Sequence, residues 1–466
     1  SLLSKTIIKS FSLEQRKNIS SLIDNTIFII PNLNERLKIA EYEINNINNN
    51  IFFLHNFINN NILNDTKNFQ EITLNNFYSK EIYNKEKIKI GLKKYALPIF
   101  LNSGKKARGY LDIFQDKFFF MRGDGEIYLL DAIKNNKKNQ KPKILNIKTN
   151  LKDLISDINF FDNFNNKKYG QFIGVRDLLI YKNELYFSFL RESKNECYTV
   201  SILKAEINFN FLDFKNFFFE SDCVQTNVKS SGFGNGFGLL HSGGRMVIYN
   251  DVKEKKDKIL LTTGELQNRT LAQDKSSIFG KVLSIDIKSK NFEIYSSGFR
   301  NSQGLLFIKE KNVIISTEHG PLGGDEINII KKNHNYGWPI SSYGEHYPGS
   351  YNSISPTELN KIAPLNSSHK DFGFEEPVHY FISAIAPSEI VQINKNFINS
   401  NDNLFFLTSL KSGSVFILKF NKNFSKVTFL EQIKINERIR DIIYDIKNNI
   451  YLMVFENSGS LGVLYN

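Results

Sequence analysis

From about Gly104 onward, the chain consists of short apolar runs separated by Gly, Asn, Asp and Lys. Many runs alternate like a strand and continue through a tight turn into a second run, as in KFFFMRGDGEIYLLD, LLIYKNELYFSFL and NLFFLTSLKSGSVFILKF. Such pairs predict β-hairpins, and their regular recurrence is typical of all-β propellers, sandwiches and barrels. Because about six four-stranded blades of roughly 45 to 60 residues fit this length, we predict a six-bladed β-propeller over residues 105–466.

The first part of the chain has a different pattern. No glycine occurs before Gly91, and the segment LNERLKIAEYEINNINNNIFFLHNFI has apolar residues at three- and four-residue spacing. This spacing predicts amphipathic helix. We therefore expect residues 1–104 to form a mostly helical or irregular N-terminal extension. The apolar face of residues 1–100 could pack on the main domain, on a partner protein or on a membrane, and the sequence leaves these alternatives open.

Composition excludes several classes of protein. The formal net charge is +12, but no run of five or six basic residues and no nucleic-acid motif occurs, so we expect no nucleic-acid partner. No apolar run reaches the roughly 18 to 20 residues of a membrane helix. Only Cys197 and Cys223 are present, which excludes a disulfide framework and leaves a single disulfide open. The first residue is Ser, which predicts processing of an upstream signal peptide or anchor.

A candidate base lies in the segment LLHSGGRMVIYN. There His241 precedes two glycines and a predicted strand. A histidine at a flexible strand start can project into a cleft, and an imidazole suits proton abstraction near neutral pH. An isolated histidine of this kind is more often structural, so the assignment depends on the other motifs.

Four cations occur where loops meet predicted strands, namely Arg300, Lys411, Arg438 and Arg440. Loops from different propeller blades converge on one face, where such cations would repel one another unless an anion neutralised them. Arginine offers forked donors to carboxylates and a flat face for stacking. The set therefore predicts a site for an anionic ligand, although each cation alone would be read as surface charge.

The densest motif, Gly298 to Gly349, contains GFRNSQGL, STEHGPLGGDEIN and HNYGWP. Together with the segments above, and in the same order, it resembles the soluble sugar dehydrogenases that use pyrroloquinoline quinone (PQQ), the glucose/sorbosone dehydrogenase family. The resemblance runs from about residue 105 to 460. It implies that His241 is the general base that takes the proton of the anomeric hydroxyl. It also implies cofactor contacts from a larger set of residues: Gln171, Arg300, Asn301, Tyr347, Lys411, Arg438 and Arg440.

Calcium is the second cofactor that the resemblance implies. The carbonyls of Gly320 and Pro321, in EHGPLGG, would bind the ion that also holds PQQ. Glu326 and the carbonyl of Tyr336 would bind a further calcium that shapes the loop. Oxygen-only coordination is what Ca²⁺ prefers. Taken alone, the Asp325-Glu326 pair would be read as turn acids.

Three positions depart from the family pattern. Phe299 replaces a His before the Arg-Asn pair, and Glu265 stands where the family has Asp. We expect the longer Glu265 side chain to displace its carboxylate by about an ångström or more. The aromatic residue expected before the Ile-Ala-Pro-Ser landmark is Phe381 or Tyr380 rather than Trp, which predicts an altered substrate fit.

The resemblance implies PQQ- and calcium-dependent oxidation of an aldose at C1 to the lactone, with electrons passed to an external acceptor. A propeller that serves only as a binding or scaffold module at a membrane or in a complex is the alternative, favoured by Phe299, Glu265 and the unmatched extension. A calcium-dependent hydrolase would need a ring of inward carboxylates that the sequence does not offer. Family members of this kind imply a periplasmic or secreted protein, with a membrane anchor upstream of residue 1 left open.

Overall fold

The computed structural model describes residues 72–86, 88–97, 108–131, 133, 142–155, 174–194, 197–220, 222–225, 241–347, 355–400 and 402–466. Three short α-helices occur among them: α1 (Leu151–Leu154), α2 (Pro356–Ile362) and α3 (Lys395–Ile398). Single 3-10 turns lie at Arg269–Ala272, Lys309–Lys311 and Lys370–Phe372. No helix of these segments is long and apolar enough to cross a lipid bilayer.

The remaining regular structure is β-strand. The first half of the described chain contains β1 (Ile72–Thr73), β2 (Asn76–Lys85), β3 (Ile88–Ala96), β4 (Gly109–Phe114), β5 (Lys117–Arg122), β6 (Ile127–Asp131), β7 (Lys143–Asn146), β8 (Lys148–Thr149), β9 (Gly174–Tyr181), β10 (Glu184–Lys194), β11 (Cys197–Glu206), β12 (Phe211–Leu212), β13 (Lys215–Phe218) and β14 (Val224–Gln225). The second half contains β15 (Gly243–Asp251), β16 (Lys256–Thr263), β17 (Lys281–Asp286), β18 (Phe292–Ser297), β19 (Ser302–Ile308), β20 (Val313–Glu318), β21 (Asp325–Ile330), β22 (His379–Phe381), β23 (Pro387–Gln392), β24 (Leu404–Ser409), β25 (Ser414–Phe420), β26 (Val427–Lys434), β27 (Ile439–Asp445), β28 (Ile450–Phe455) and β29 (Ser460–Tyr465).

Most of these strands build six antiparallel sheets, which are the blades of a propeller, and β8 and β12 form a separate two-stranded parallel sheet. In chain order the innermost strands are β4, β9, β15, β19, β23 and β27, and each contacts the next around the ring. Buried apolar residues form clusters between neighbouring blades rather than one central core. Each blade packs its two faces against the neighbouring blades, so both faces of its strands are buried. This explains runs such as Phe118–Met121, in which no side chain is exposed. The predicted six-bladed propeller is confirmed.

The ring is closed by strands from both ends of the described chain. The sixth blade combines β27, β28 and β29 with β3, and β29 pairs antiparallel with β3 from Ser460↔Ala96 to Tyr465↔Gly91. Residues 76–96, which we assigned to the helical extension, therefore form two strands of the propeller. The strand β2 pairs with β3, but β3 joins the blade through β29, more than 300 residues away, so local periodicity could not reveal this pairing. The predicted extension over residues 1–71 lies outside the described residues.

A buried ionic hub lies on the axis of the ring. Arg245 on β15 donates from Nη1 to Asp177 on β9 (2.7 Å) and to Asp441 on β27 (2.9 Å), and its Nε lies 2.8 Å from Glu389 on β23. Burial raises the pKa of Asp177 to about 7 and that of Glu389 to about 8, against the attraction of Arg245. One guanidinium thus ties four of the six innermost strands together beneath the site described below.

The two cysteines form a disulfide, Cys197–Cys223, in the second blade. It joins the start of β11 to the residue before β14, 26 residues later in the chain. The single disulfide, which the sequence left open, is therefore formed in the structure.

Candidate functional site

A cavity of about 270 Å³ opens where loops from all six blades converge on the axis. Its wall includes nine of the residues predicted from the sequence: His241, Arg300, Asn301, Gly320, Pro321, Tyr347, Lys411, Arg438 and Arg440. Glu326 and Tyr336 line a small adjoining space behind this wall. Gln171 lies outside the described residues. Motifs that are up to about 200 residues apart in the chain are thus brought together in one site.

Close backbone packing sets the position of His241. Its backbone is left-handed, with φ of 63°, and its carbonyl accepts the Leu266 amide at 3.1 Å. A Cβ at Gly264 would lie 1.7 Å from the His241 carbonyl oxygen, so only glycine allows this approach. The Glu265 amide in turn donates to the Arg300 carbonyl at 3.0 Å. These contacts place the side chains of His241, Glu265 and Arg300 side by side.

His241 and Glu265 form a hydrogen-bonded dyad. His241 Nδ1 lies 2.5 Å from Glu265 Oε1. Burial lowers the pKa of His241 well below its ordinary value, and the nearby charges of Arg300 and Arg269 lower it further. The imidazole is therefore neutral, and Nδ1–H donates to the carboxylate, which leaves the lone pair on Nε2. Burial also raises the pKa of Glu265 to about 7, with Arg300 and Arg269 opposing that rise.

This geometry corrects the expectation for Glu265. The longer side chain is not displaced from the base, because the carboxylate reaches Nδ1 at hydrogen-bond distance. Phe299 likewise does not disturb the cavity. It is fully buried and stacks on the Tyr336 ring, with centroids 4.7 Å apart. Both departures from the family pattern are thus accommodated.

Arg300 contacts both the base and the loop predicted to bind calcium. Its Nη2 donates to His241 Nε2 at 2.9 Å, and its Nη1 donates to the carbonyls of Gly320 at 2.7 Å and His319 at 3.0 Å. The guanidinium carbon lies 5.4 Å from the Trp338 ring centre, within cation–π range. Trp338, the single tryptophan of the chain, therefore supports a cation of the site.

The other cations approach from the fifth and sixth blades. Arg438 and Arg440 share Glu456, at 3.1 Å and 2.7 Å respectively, and Arg440 also donates to Gln303 Oε1 at 3.1 Å. Lys411 is exposed in the loop after β24. One acid thus partly compensates two arginines, and the wall keeps an excess of positive charge.

Sequence reasoning missed two further cations, Arg108 and Arg176, which line the cavity from the first and second blades. Each lies at or near the start of an innermost strand, which is the criterion that selected the other four. In the described residues neither forms an ion pair with a carboxylate. Burial lowers the pKa of Arg108, and nearby Arg440 lowers it further. Burial, followed by repulsion from Arg108, lowers the pKa of Arg176 well below its usual value.

The loop of Gly320 and Pro321 is held by Asp325. This acid accepts the Gly320 amide at 2.8 Å and the amides of Ile385 and Ala386 at 2.6 Å and 2.7 Å. The Tyr347 hydroxyl donates to the Pro321 carbonyl at 2.8 Å. Two neutral carbonyl oxygens therefore face the cavity, which is chemistry that suits a hard cation. In the described part of the chain, no group of three acidic, His or Cys side chains forms a metal cluster.

A second set of oxygens lies behind this wall. Glu318 and Glu326 are both buried, and burial followed by repulsion from Glu326 raises the pKa of Glu318 well above its ordinary value. His369 bridges Glu326 Oε1, at 3.2 Å from its Nε2, and the Tyr336 carbonyl, at 3.0 Å from its Nδ1. Asn328 Oδ1 is buried there without a hydrogen-bond partner. Two adjacent acids and an orphaned acceptor fit a bound cation.

Phe381 and Tyr380, the aromatic residues expected to alter substrate fit, do not form part of the cavity wall. Phe381 is buried and packs against Phe416, whereas Tyr380 is 41% exposed and stacks on Tyr343 with ring centres 3.9 Å apart. Neither lines the cavity. The residue that follows them, Ile382, is 84% exposed.

Comparison with known proteins identifies the family. The model of the Glucose / Sorbosone dehydrogenase family matches residues 181–463, which is more than half of the chain. The chain belongs to the glucose/sorbosone dehydrogenase family. This membership confirms the resemblance found in the motifs.

Relatives in this family include the aldose sugar dehydrogenase of Escherichia coli (strain K12), 31% identical over 236 residues, which are 47% of this chain and 59% of the relative. Another is quinoprotein glucose dehydrogenase B of Acinetobacter calcoaceticus, 24% identical over 47% of this chain and 60% of the relative. The chain thus spans well under two thirds of the length of these relatives in sequence.

Solved structures of the family share the fold. The soluble aldose sugar dehydrogenase of Escherichia coli superposes with a TM-score of 0.57 at 21% identity, over 78% of this chain and 96% of that one. The PQQ-bound aldose sugar dehydrogenase of Streptomyces coelicolor gives 0.50 at 17% identity, over 77% and 98%. At such identities the likeness establishes the propeller.

Proposed function

We propose that this protein is a PQQ- and calcium-dependent dehydrogenase that oxidises an aldose at C1 to the lactone and passes the electrons to an external acceptor. The observation that carries the proposal is the convergence in one cavity of six cations and the neutral His241, which Glu265 holds from behind. A scaffold would have no need to gather this excess of positive charge around one cavity. Membership of the glucose/sorbosone dehydrogenase family supports the same conclusion.

His241 acts as the general base. Its Nε2 lone pair faces the cavity, while Glu265 holds the proton on Nδ1 and stabilises the imidazolium that forms when Nε2 takes the hydroxyl proton of the sugar. Arg300 now donates to the same Nε2, so it must turn toward a bound anion before the base can act. Oxidation of C1 to the lactone also removes one hydride. When bound, PQQ supplies the acceptor for that hydride, and calcium supplies a Lewis acid at the quinone oxygen.

The cavity suits a planar tricarboxylate. Arg300, Lys411, Arg438 and Arg440 would hold its carboxylates, since guanidinium forks bind carboxylates in two-point contacts. Asn301 is already fixed, because its amide accepts the Gly243 amide at 3.2 Å and donates to His319 Nδ1 at 3.2 Å. Asn301 is thereby held on the cavity wall beside Arg300, where it would contact the cofactor as the resemblance implies. Tyr347, 41% exposed at the rim, would close one side of the site.

Calcium would bind at the carbonyls of Gly320 and Pro321. To do so it must replace the donors that these oxygens now accept, from Arg300 and Tyr347. The same movement of Arg300 would expose the base and free a metal ligand. A further calcium would bind Glu326 and the Tyr336 carbonyl, where buried Glu318 adds a second acid and Asn328 Oδ1 has no hydrogen-bond partner.

We also propose a periplasmic or secreted location. The Cys197–Cys223 disulfide supports an oxidising compartment, because cytosolic reductants keep most thiols reduced. A membrane anchor upstream of residue 1, and contact of residues 1–100 with a membrane or a partner, belong to the same proposal. Fractionation of the producing cells tests the location, and recovery of the full chain with the cytoplasmic marker would contradict it.

The test of the enzyme proposal combines a binding and a turnover assay. Purified protein is titrated with PQQ in the presence of Ca²⁺, and dye reduction is then followed with a panel of aldoses and lactone analysis. We expect saturable PQQ binding and sugar-dependent dye reduction. Absence of both would refute the proposal, and binding without turnover on any sugar would favour the scaffold alternative.

A substitution assigns the base. His241→Ala should retain PQQ affinity and lose at least about a hundredfold in kcat, the usual contribution of a positioned base. His334→Ala is the matched control, because His334 is a surface residue paired with Glu375. If the His241→Ala rate equals that of the control, His241 is structural.

A further inference from the structure

The cations of the cavity fall into two groups that differ in their partners. Arg438 and Arg440 share Glu456, so these three residues carry one net positive charge. Arg300 and Lys411 add one each, which gives a charge that matches the three carboxylates of PQQ. Calcium bound in the same cavity would only add positive charge, in excess of the single acid at the wall, Asp325.

Arg108 and Arg176 remain outside this balance. We name them the blade 1–2 cation pair, since they come from the first and second blades. Arg176 is 5% exposed, yet its hydrogen-bond partners among the described residues are uncharged groups. Its Nε donates to Ser242 Oγ at 2.5 Å, its Nη1 lies 3.4 Å from the Val175 carbonyl, and the Tyr110 hydroxyl also contacts it. Arg108 shares the same wall. The acid whose charge acts on Arg108 is Glu456, which Arg438 and Arg440 already share. Neighbouring cations that share so little negative charge are unfavourable unless an anion joins them.

The position of these two arginines in the cavity indicates which anion they would bind. Arg176 is bonded to Ser242, the neighbour of the proposed base His241, whereas Arg438 and Lys411 line the wall from the sixth and fifth blades. A Cβ at Gly244 would lie 2.2 Å from the Cβ of Arg176, so this glycine is required for the arginine to fit beside the base strand. The pair therefore covers the wall from the strand that follows His241, through Arg176, to Arg440 of the sixth blade, whose charge acts on Arg108.

We propose that the blade 1–2 cation pair is a second anion subsite, which selects an aldose that carries a carboxylate or a phosphate group. The inference rests on the proposed sugar oxidation and extends it to the class of substrate. Burial, followed by repulsion from Arg108, lowers the pKa of Arg176 in the free protein, and a bound anionic group would offset that repulsion.

The test measures sugar binding without turnover. In the His241→Ala background, with PQQ and Ca²⁺ present, glucose, glucuronate and glucose 6-phosphate are titrated by calorimetry at about 0.15 M salt, where surface charges are screened. We expect at least one anionic sugar to bind about tenfold or more tightly than glucose, as for a charge-assisted contact. The carboxylate and phosphate arms identify which group fits.

Substitutions then assign the subsite. Arg108→Gln and Arg176→Gln should each remove most of the advantage of the anionic sugar, and Arg176→Lys should restore part of it because the charge returns. Lys253→Gln, at an exposed turn, is the charge-matched control. If Arg176→Gln does not fold, Arg108→Gln decides alone, since Arg108 is less buried.

Two outcomes would overturn the inference. One is equal affinity for neutral and anionic sugars. The other is that Arg108→Gln weakens PQQ binding by about tenfold, measured separately by titration of the cofactor, because the pair would then belong to the cofactor site. Failure of the enzyme proposal is distinct from both, since it would appear as absent PQQ binding or absent dye reduction in the wild-type protein.

Discussion

Replacing Glu265 with aspartate shortens the side chain that holds the proposed base. Removal of one methylene retracts the carboxylate by about 1.5 Å, and the contact between Glu265 Oε1 and His241 Nδ1 is now 2.5 Å. The resulting separation, about 4 Å, is too long for a hydrogen bond. A hydrogen bond to a charged group contributes about 1.5 to 3 kcal/mol, so Glu265→Asp should lower kcat by about tenfold to a hundredfold.

Glu265→Gln keeps the length of the side chain but removes its negative charge. The amide oxygen can still accept Nδ1–H, but it cannot neutralise the imidazolium, so we expect a loss of kcat with little change in PQQ affinity. The pH profile should change as well. Glu265 has a pKa of about 7, so the wild-type kcat should rise through that pH as the carboxyl ionises, and Glu265→Gln should lack this limb.

The same pKa predicts an opposite effect on stability. A carboxyl whose pKa is raised by folding, from 4.5 to about 7, stabilises the protein fully below pH 4.5 and loses that contribution as pH rises through 7. The loss is on the order of 3 kcal/mol. Glu265→Gln should therefore be more stable relative to wild type at pH 8 than at pH 5, as measured by urea unfolding.

Steady-state kinetics across pH 5 to 9, combined with these unfolding curves, provide the assay. Wild-type kcat in Glu265→Asp would refute the geometric reasoning, because the shorter acid would then reach the base equally well. If the kcat of Glu265→Gln still rises with pH near pH 7, another group must titrate there.

Three further predictions concern the hub, the second calcium site and the disulfide. Arg245→Met leaves three buried acids unpaired and should lower the free energy of unfolding by about 3 to 5 kcal/mol, measured in urea. Glu326→Gln should weaken the rise in thermal midpoint when Ca²⁺ is returned to chelator-stripped protein, and an unchanged calcium response would remove Glu326 from the site. Cys197→Ala with Cys223→Ala opens a loop of 26 residues; it should cost about 3 kcal/mol, and equal unfolding curves with and without the bond would contradict this.

Much of the site could be predicted because its residues lie in short motifs at loop–strand junctions. Loops from all blades of a propeller converge on one face, so His241, Arg300 and Lys411 could be assigned to one cavity without coordinates. Arg108 and Arg176 lie at the same kind of junction and within the range of the resemblance, but the resemblance assigned them no role. Only their position in the cavity distinguishes them from surface cations.

Other features depend on contacts between distant segments. The strand Ile88–Ala96 is defined by its partner Ser460–Tyr465 at the other end of the chain. The position of Glu265 depends on its neighbour Gly264, which lets the backbone approach the His241 carbonyl. A one-methylene difference in a side chain therefore could not be evaluated from side-chain length alone, because the backbone sets where that side chain begins.

Arg300 connects the separate parts of the site. Its guanidinium donates to His241 Nε2 and to the Gly320 carbonyl, so one side chain covers both the proton acceptor and a proposed calcium ligand. The positive charge of Arg300 also lowers the pKa of His241. An anion that draws Arg300 away would thus uncover the base and strengthen it by neutralising a nearby charge. The charge of the occupant, and not only its shape, therefore determines whether His241 can take a proton.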